Sequence, residues 1–238
     1  MWEPVVALLG PDVSVATPTL RWFGADPWPD DGAAFGTESH TEQLIRYLEE
    51  RAGGPTAAAA WSYSTHVLLN AMRRRPDLFD RTLLYEPGLS TYLDDPLELK
   101  AFAQDATKAF GPVAAALAET GPTAAVEALF DSSGGPGCFR RLTPERQALY
   151  LESGRMMPLL MGGGQPPANL TAEDLSQIPV PVTVAMGEQT RDLFALASRA
   201  VARSIPGARL KTVSGADHMM PETAPHQFAA LLREWLRV

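Results

Sequence analysis

The sequence is short of cysteine, of histidine and of long apolar runs. It has one cysteine, Cys138, and four histidines in 238 residues. A single thiol makes no internal disulfide, which fits a reducing compartment, and a cytoplasmic location is expected. No apolar run reaches the roughly 18 residues of a membrane span, so no transmembrane helix is expected. Met1-Trp-Glu-Pro at the start carries neither the basic nor the apolar region of a signal peptide. Basic residues nowhere gather into a run and the formal net charge is -8, which argues against nucleic acid and anionic membrane surfaces as partners. No metal-ligand cluster stands out. Gly162-Gly-Gly164 is not a phosphate loop, because no strand leads into it and no clean helix follows. Neither metal nor cofactor is expected.

What is present is a chain 45% hydrophobic, enough for a proper core, and long enough for one α/β domain with an insertion or for two small domains. Arginine greatly outnumbers lysine and alanine is abundant, as in bacteria with GC-rich genomes. Residues 2–9 read as the end of a helix, stopped by Gly10-Pro11. Val13-Ser-Val-Ala-Thr17 reads as a short strand. Leu44, Ile45 and Leu48 give one apolar face to a helix from Thr37 to Arg51. Strands are expected near 56–61, 81–86, 180–186 and 208–213, with helices from the serine turn to Arg75, over 192–204, and from Pro221 to Leu236. Between about 89 and 178 no convincing strand occurs. That block reads as helices starting at Asp94-Asp95-Pro96, Pro112, Thr123 and Thr143-Pro144, with a capping-box variant at Thr171 to Asp174. Strands separated by helices and short turns imply a mostly parallel sheet covered by helices on both faces.

The chain is organised around Thr56-Ala-Ala-Ala-Ala-Trp-Ser-Tyr-Ser-Thr-His66. A run of small apolar residues ends in Trp61-Ser62-Tyr63, and an amphipathic segment begins at once. Strand, sharp turn and helix together lift a serine hydroxyl clear of the sheet. Ala60 and Ser64 give the pattern small-x-Ser-x-small, which resembles the nucleophile elbow of the α/β-hydrolases. Small flanking residues are needed because strand and helix nearly touch there. Earlier in the chain Arg21-Trp-Phe-Gly24 resembles the family's Arg-Gly-x-Gly turn, and near its end Gly215-Ala-Asp-His218 resembles its histidine loop. Taken in chain order, over nearly the whole chain, the set resembles the α/β-hydrolase fold with a helical cap. The implied core is 1–88 plus 179–238, with the cap at 89–178.

The resemblance implies that Ser62 is the nucleophile and His218 the base that takes its proton. The backbone N–H of Tyr63 would be one oxyanion donor. The usual family acid position, the third residue after the Gly187 that closes a strand, holds Thr190, which cannot serve. Two acids remain: Glu86, at the end of the strand after the elbow and resembling the arrangement in some haloalkane dehalogenases, and Asp192, in the first turn of the next helix. Glu86 is favoured and Asp192 is the alternative. His40, His66 and His226 are given no catalytic part. Trp61, Tyr63, Met219, Met220, Trp22, Phe23 and Trp28, with Met156, Met157, Leu159, Leu160 and Met161 under the cap, either line an apolar pocket or are ordinary core.

The family's second oxyanion donor comes from a His-Gly segment behind an earlier strand, and no such segment is present. Trp2-Glu-Pro-Val-Val resembles the helix just after it. In the family's sheet order that strand lies between the Val13 strand and the elbow strand, so its loss would open the middle of the sheet. Either the two neighbours pair directly, or another chain fills the slot, or an internal Met was taken as the start of a longer protein; the last is favoured. The expected function is a serine hydrolase that cleaves an ester or related acyl bond of a small, largely apolar molecule. The partners expected are that substrate and, as an option, a second copy in a homodimer. The alternative is a catalytically inactive or truncated hydrolase-like binding protein. It is suggested by Ser64 in place of Gly, Thr190 in place of the acid, Thr19 where the family often has Asp, and the missing strand.

Overall fold

The computed structural model describes residues 1–237. Four strands, β1 (Thr56–Trp61), β2 (Phe79–Tyr85), β3 (Val182–Gly187) and β4 (Arg209–Val213), form one parallel sheet in the order β1-β2-β3-β4. Sequence order equals spatial order, so each connection crosses over one face or the other. The helices α1 (Glu3–Val6), α2 (Thr37–Arg51), α3 (Tyr63–Arg74), α8 (Asp192–Ser204) and α10 (Pro225–Leu236) supply that cover.

Alternation along the strands divides the core in two. Ala60, Leu84, Val182 and Val184 meet Leu48 of α2, Leu68, Leu69 and Met72 of α3, and Leu193, Ala197 and Val201 of α8. On the opposite face, Trp61, Leu83, Tyr85 and Ala185 meet Val5, Leu9, Phe228, Leu232 and Trp235. The helices α2 and α8 begin and end where their apolar spacing predicts. The fold class read from the sequence is the one observed.

Between β2 and β3 the described residues contain helices and no strand: α4 (Pro96–Glu119), α5 (Pro122–Gly134), α6 (Pro144–Glu152) and α7 (Ala172–Ser176). The α4 helix continues through Pro112, where the sequence suggests a new start. Proline removes one backbone bond there, but buried Ala109 and Val113 hold the two halves in the core as one element. Thr171 and Asp174 form the expected capping box at α7. The C-terminal helix is split: α9 (Met220–Thr223) precedes α10, with Pro225 starting the second piece.

The strand expected at Val13–Thr17 does not form. Ser14 to Thr17 are exposed coil. Val-Ser-Val has strand propensity, but propensity needs a ladder partner and a face to bury against, and this segment has neither. The opening expected in the middle of the sheet is therefore absent. Among the described residues β1 is the edge of the sheet, and the side chains of Ala57 and Ala59 are exposed on one of its faces.

Candidate active site

Ser62 is the first residue past β1, and α3 begins at the next residue. Its φ of 55° and ψ of -124° are costly for any residue with a Cβ. Three hydrogen bonds hold it there. The Ser62 N–H donates to the Tyr85 carbonyl at 3.0 Å, continuing the ladder onto β2. Ser64 Oγ folds back to accept from Trp61 N–H at 3.2 Å and to donate to the Trp61 carbonyl at 2.8 Å. The residue that replaces the usual glycine thus ties the turn shut with its own side chain. The N–H of Tyr63, first of α3, has no acceptor among the described residues and stands free at the helix N-terminus.

His218 follows β4 on a short loop that lies against the end of β3. That approach requires glycine at 187, since a Cβ there would stand 2.2 Å from the Ala216 carbonyl oxygen. The loop is anchored from several sides. Tyr85 Oη donates to the Asp217 carbonyl at 2.6 Å, the Gln189 N–H to the Ala216 carbonyl at 2.8 Å, and Gly215 N–H and Ser214 Oγ to Glu188 Oε2, each at 2.9 Å. The Gly215 and Ser214 donors hold the Glu188 carboxyl below its ordinary range. Phe194 of α8 stacks on the buried His218 imidazole, with ring centres 3.6 Å apart and planes within 4°.

The imidazole bridges two of the expected residues. His218 Nε2 lies 3.0 Å from Ser62 Oγ, and Nδ1 lies 2.7 Å from Glu86 Oε2. A carboxylate only accepts, so Nδ1 carries the hydrogen and Nε2 presents its lone pair to the serine hydroxyl. Glu86 is fully buried and, like Ser62, leaves its strand at positive φ, 51°. Its Oε1 accepts from Gly187 N–H at 2.7 Å, and its Oε2 also accepts from Thr190 Oγ1 at 2.7 Å. Asp192 is exposed at the start of α8, and both His218 nitrogens are already engaged by Glu86 and Ser62. The alternative acid is not brought to the site. Its place at the helix start keeps it in solvent.

Beside the serine stands an aromatic group. Tyr63 Oη donates to His40 Nδ1 at 2.8 Å, and His40 Nε2 donates to the Arg21 carbonyl at 3.0 Å. Phe23 and Phe35 pack around both rings. His40 lies in α2, and burial lowers its pKa to about 4, so it is neutral. Of the candidate pocket residues, Trp22, Trp61, Met157, Met219 and Met220 are buried core, whereas Phe23, Trp28 and Tyr63 keep partial exposure. The helical insertion reaches this group. Arg155 donates to the Gly24 carbonyl at 3.3 Å and to that of Asp26, and its guanidinium lies over Trp28. Arg146 and Tyr150 of α6 bond the Glu222 carboxylate, four residues beyond His218.

Sequence reasoning missed the parts of Thr190, Phe194 and Ser64. Thr190 reads in the sequence only as a residue that is not an acid, although a hydroxyl three residues past the strand end is a signal for a donor. Among the described residues no group of three or more His, Cys, Asp or Glu side chains could hold a metal ion, and no helix is long and apolar enough to cross a membrane.

A parallel sheet carrying a strained serine after one strand and a histidine loop after the last defines a fold class, and comparison with known proteins agrees. A family profile described as "Alpha/beta hydrolase family" matches residues 1–231, and the chain belongs to that family. Solved structures similar to it include a thermophilic esterase from Thermogutta terrifontis (TM-score 0.71, 21% identity, covering 99% of this chain and 84% of that one). A putative ancestral haloalkane dehalogenase has a TM-score of 0.66 at 17% identity, covering 99% of this chain and 86% of that one. The thioesterase domain from the curacin biosynthetic pathway has a TM-score of 0.62 at 15% identity, covering 97% and 85%. At these identities the likeness is one of fold. A search of curated proteins gave no significant match.

Proposed function

We propose that this protein is a serine hydrolase that cleaves an ester or related acyl bond of a small, largely apolar molecule. The observation that carries the reading is the continuous hydrogen-bonded line from Ser62 Oγ through His218 to Glu86, with links of 3.0 and 2.7 Å. Ser62 Oγ attacks the acyl carbon while its proton passes to His218 Nε2. Glu86 stabilises the resulting imidazolium and keeps Nδ1 protonated. The carbonyl oxygen, now negative, takes the free N–H of Tyr63. His218 returns the proton to the leaving oxygen as the acyl–oxygen bond breaks, leaving acyl-Ser62. Water then attacks that acyl group, giving its proton to His218, and the carboxylic acid leaves as the Ser62 hydroxyl is restored.

In this reading the insertion at 89–178 is a cap over the substrate. Support comes from its bonds through Arg155 to the loop that carries Phe23, and from the half-buried rings of Tyr63, which follows the serine, of Phe23 packed on it, and of Trp28 under the Arg155 guanidinium. Such rings suit an apolar acyl group. The names esterase and thioesterase borne by two structural relatives accord with acyl chemistry.

The test is labelling of the purified protein with a fluorophosphonate probe, read by peptide mass spectrometry. Phosphonylation of the peptide that contains Ser62, absent in Ser62→Ala, is expected. A folded protein that takes no label would overturn the reading. Labelled protein would then be assayed on panels of esters and lactones.

A further inference from the structure

We infer that Thr190 is a positioning residue, which fixes the Glu86 carboxylate for His218; the inference rests on the serine hydrolase reading. Glutamate has one more rotatable bond than aspartate, so a glutamate acid needs more anchoring to hold one geometry. Glu86 has two anchors besides the imidazole. Gly187 N–H holds Oε1, and Thr190 Oγ1 donates to Oε2, each at 2.7 Å. Oε2 is also the oxygen that accepts from His218 Nδ1, at 2.7 Å. With one anchor the carboxylate could swing about Oε1 and carry Oε2 away from the ring. With two, its plane is set, and Oε2 faces Nδ1 whatever His218 does.

Thr190 is itself fixed by the turn at the end of β3, where its N–H donates to the Gly187 carbonyl at 3.4 Å. The same four-residue turn therefore supplies both anchors. The whole carboxylate is inaccessible to solvent, so no water competes for Oε2 and a lost donor is not replaced.

Thr190→Val keeps the shape and removes the donor, whereas Thr190→Ser keeps the donor. Two readouts separate positioning from mere packing: the second-order rate of fluorophosphonate labelling, and the low-field proton resonance of His218 Nδ1–H, assigned by its loss in Glu86→Gln. In Thr190→Val, labelling is expected to slow about tenfold, the size of one hydrogen bond to a charged group. Its Nδ1 resonance is expected to broaden by exchange, and Thr190→Ser to restore both signals. A valine variant, folded by its thermal midpoint, that labels at the wild-type rate with an unchanged resonance would overturn the inference. So would a serine variant that behaves like the valine one. If the wild type takes no label, the hydrolase reading falls and the resonance alone decides the part of Thr190.

Discussion

Ser62 and Glu86 occupy equivalent places on adjacent parallel strands. Each is the first residue past its strand, beyond the paired Trp61 and Tyr85. Each gives its N–H to the next strand over, Ser62 to Tyr85 and Glu86 to Ala185, both at 3.0 Å. Each has a positive φ, 55° and 51°. The two strained residues are thus side by side at the carboxyl edge of the sheet, and His218 closes the gap between their side chains.

The first expectation concerns the acid. Glu86→Gln keeps the shape but removes the charge that, in the proposed reaction, stabilises the imidazolium, and labelling of Ser62 should fall by about three to four orders of magnitude. Asp192→Asn should label like the wild type, because Asp192 lies in solvent. Measured labelling rates of the two amides decide it; a crippled Asp192→Asn with an active Glu86→Gln would reverse the assignment.

Strain at the serine gives a second expectation. Backbone in a sparsely populated region costs about 1–3 kcal/mol, and glycine relieves most of that at the expense of a more flexible unfolded chain. Ser62→Gly should be more stable than Ser62→Ala, which loses the same bond to His218 Nε2, by about 1 kcal/mol, a gain of a few degrees in thermal midpoint for a chain of this size. It should take no label. A midpoint for Ser62→Gly no higher than that of Ser62→Ala would mean that the turn stores no strain.

The side chain and the backbone of Tyr63 can be separated. Tyr63→Phe deletes the donor to His40 Nδ1 and leaves a buried acceptor unpaired, at a cost of about 1–3 kcal/mol. The backbone N–H remains, so labelling should persist. Denaturant unfolding and labelling rate, measured on the same variant, test both halves.

Acid should destabilise the fold through two buried histidines. Burial lowers both His40 and His66 to a pKa of about 4 from 6.5. Each is held neutral: Nε2 donates to the carbonyl of Arg21 or Ala168, and Nδ1 accepts from Tyr63 or Tyr92. With the folded pKa below the unfolded one, the unfolded chain binds more protons. The stability is therefore complete above the unfolded pKa and is lost as pH falls from about 6.5 toward 4. Between pH 7 and pH 5 each histidine should remove about 2 kcal/mol. Urea unfolding across that range measures it, and a flat stability would contradict the buried neutral state.

Gly187→Ala should disturb the His218 loop directly. The added Cβ meets the Ala216 carbonyl, so either the loop or the strand end must move. A loss of labelling larger than the loss of stability is expected, because the loop carries His218, the base of the proposed reaction, while the rest of the core is untouched. Equal labelling in the variant would mean that the loop moves without carrying His218 away.

Much of this was legible from residue order alone. The helix from Thr37 to Arg51 and that from Asp192 to Ser204 follow from apolar spacing, because each lays one face on the sheet. The serine turn was readable only in company, because small-x-Ser-x-small is common in an alanine-rich chain and the order of elbow, helical insertion and histidine loop is what singles it out. Glu86 was readable as one of two acids by its place at a strand end. The failures are all non-local. Val13–Thr17 has the residues of a strand and no partner to pair with. Pro112 reads as a start and lies inside a helix that tertiary packing holds together. His40 and His66 read as bystanders and are buried, bonded and neutral.

By itself the sequence determined the alternation of strand and helix, the class of the fold and the short set of candidate groups, Ser62, His218, Glu86 and Asp192, because these depend on local spacing and residue type. Tertiary structure alone decided which acid meets His218, why glycine stands at 187, and how a threonine at the usual acid position donates to the glutamate that takes its place. Those choices rest on distances between residues about a hundred positions apart in the chain, such as Glu86 and Thr190, which are set only when parallel strands pair in register and bring their carboxyl ends to one edge.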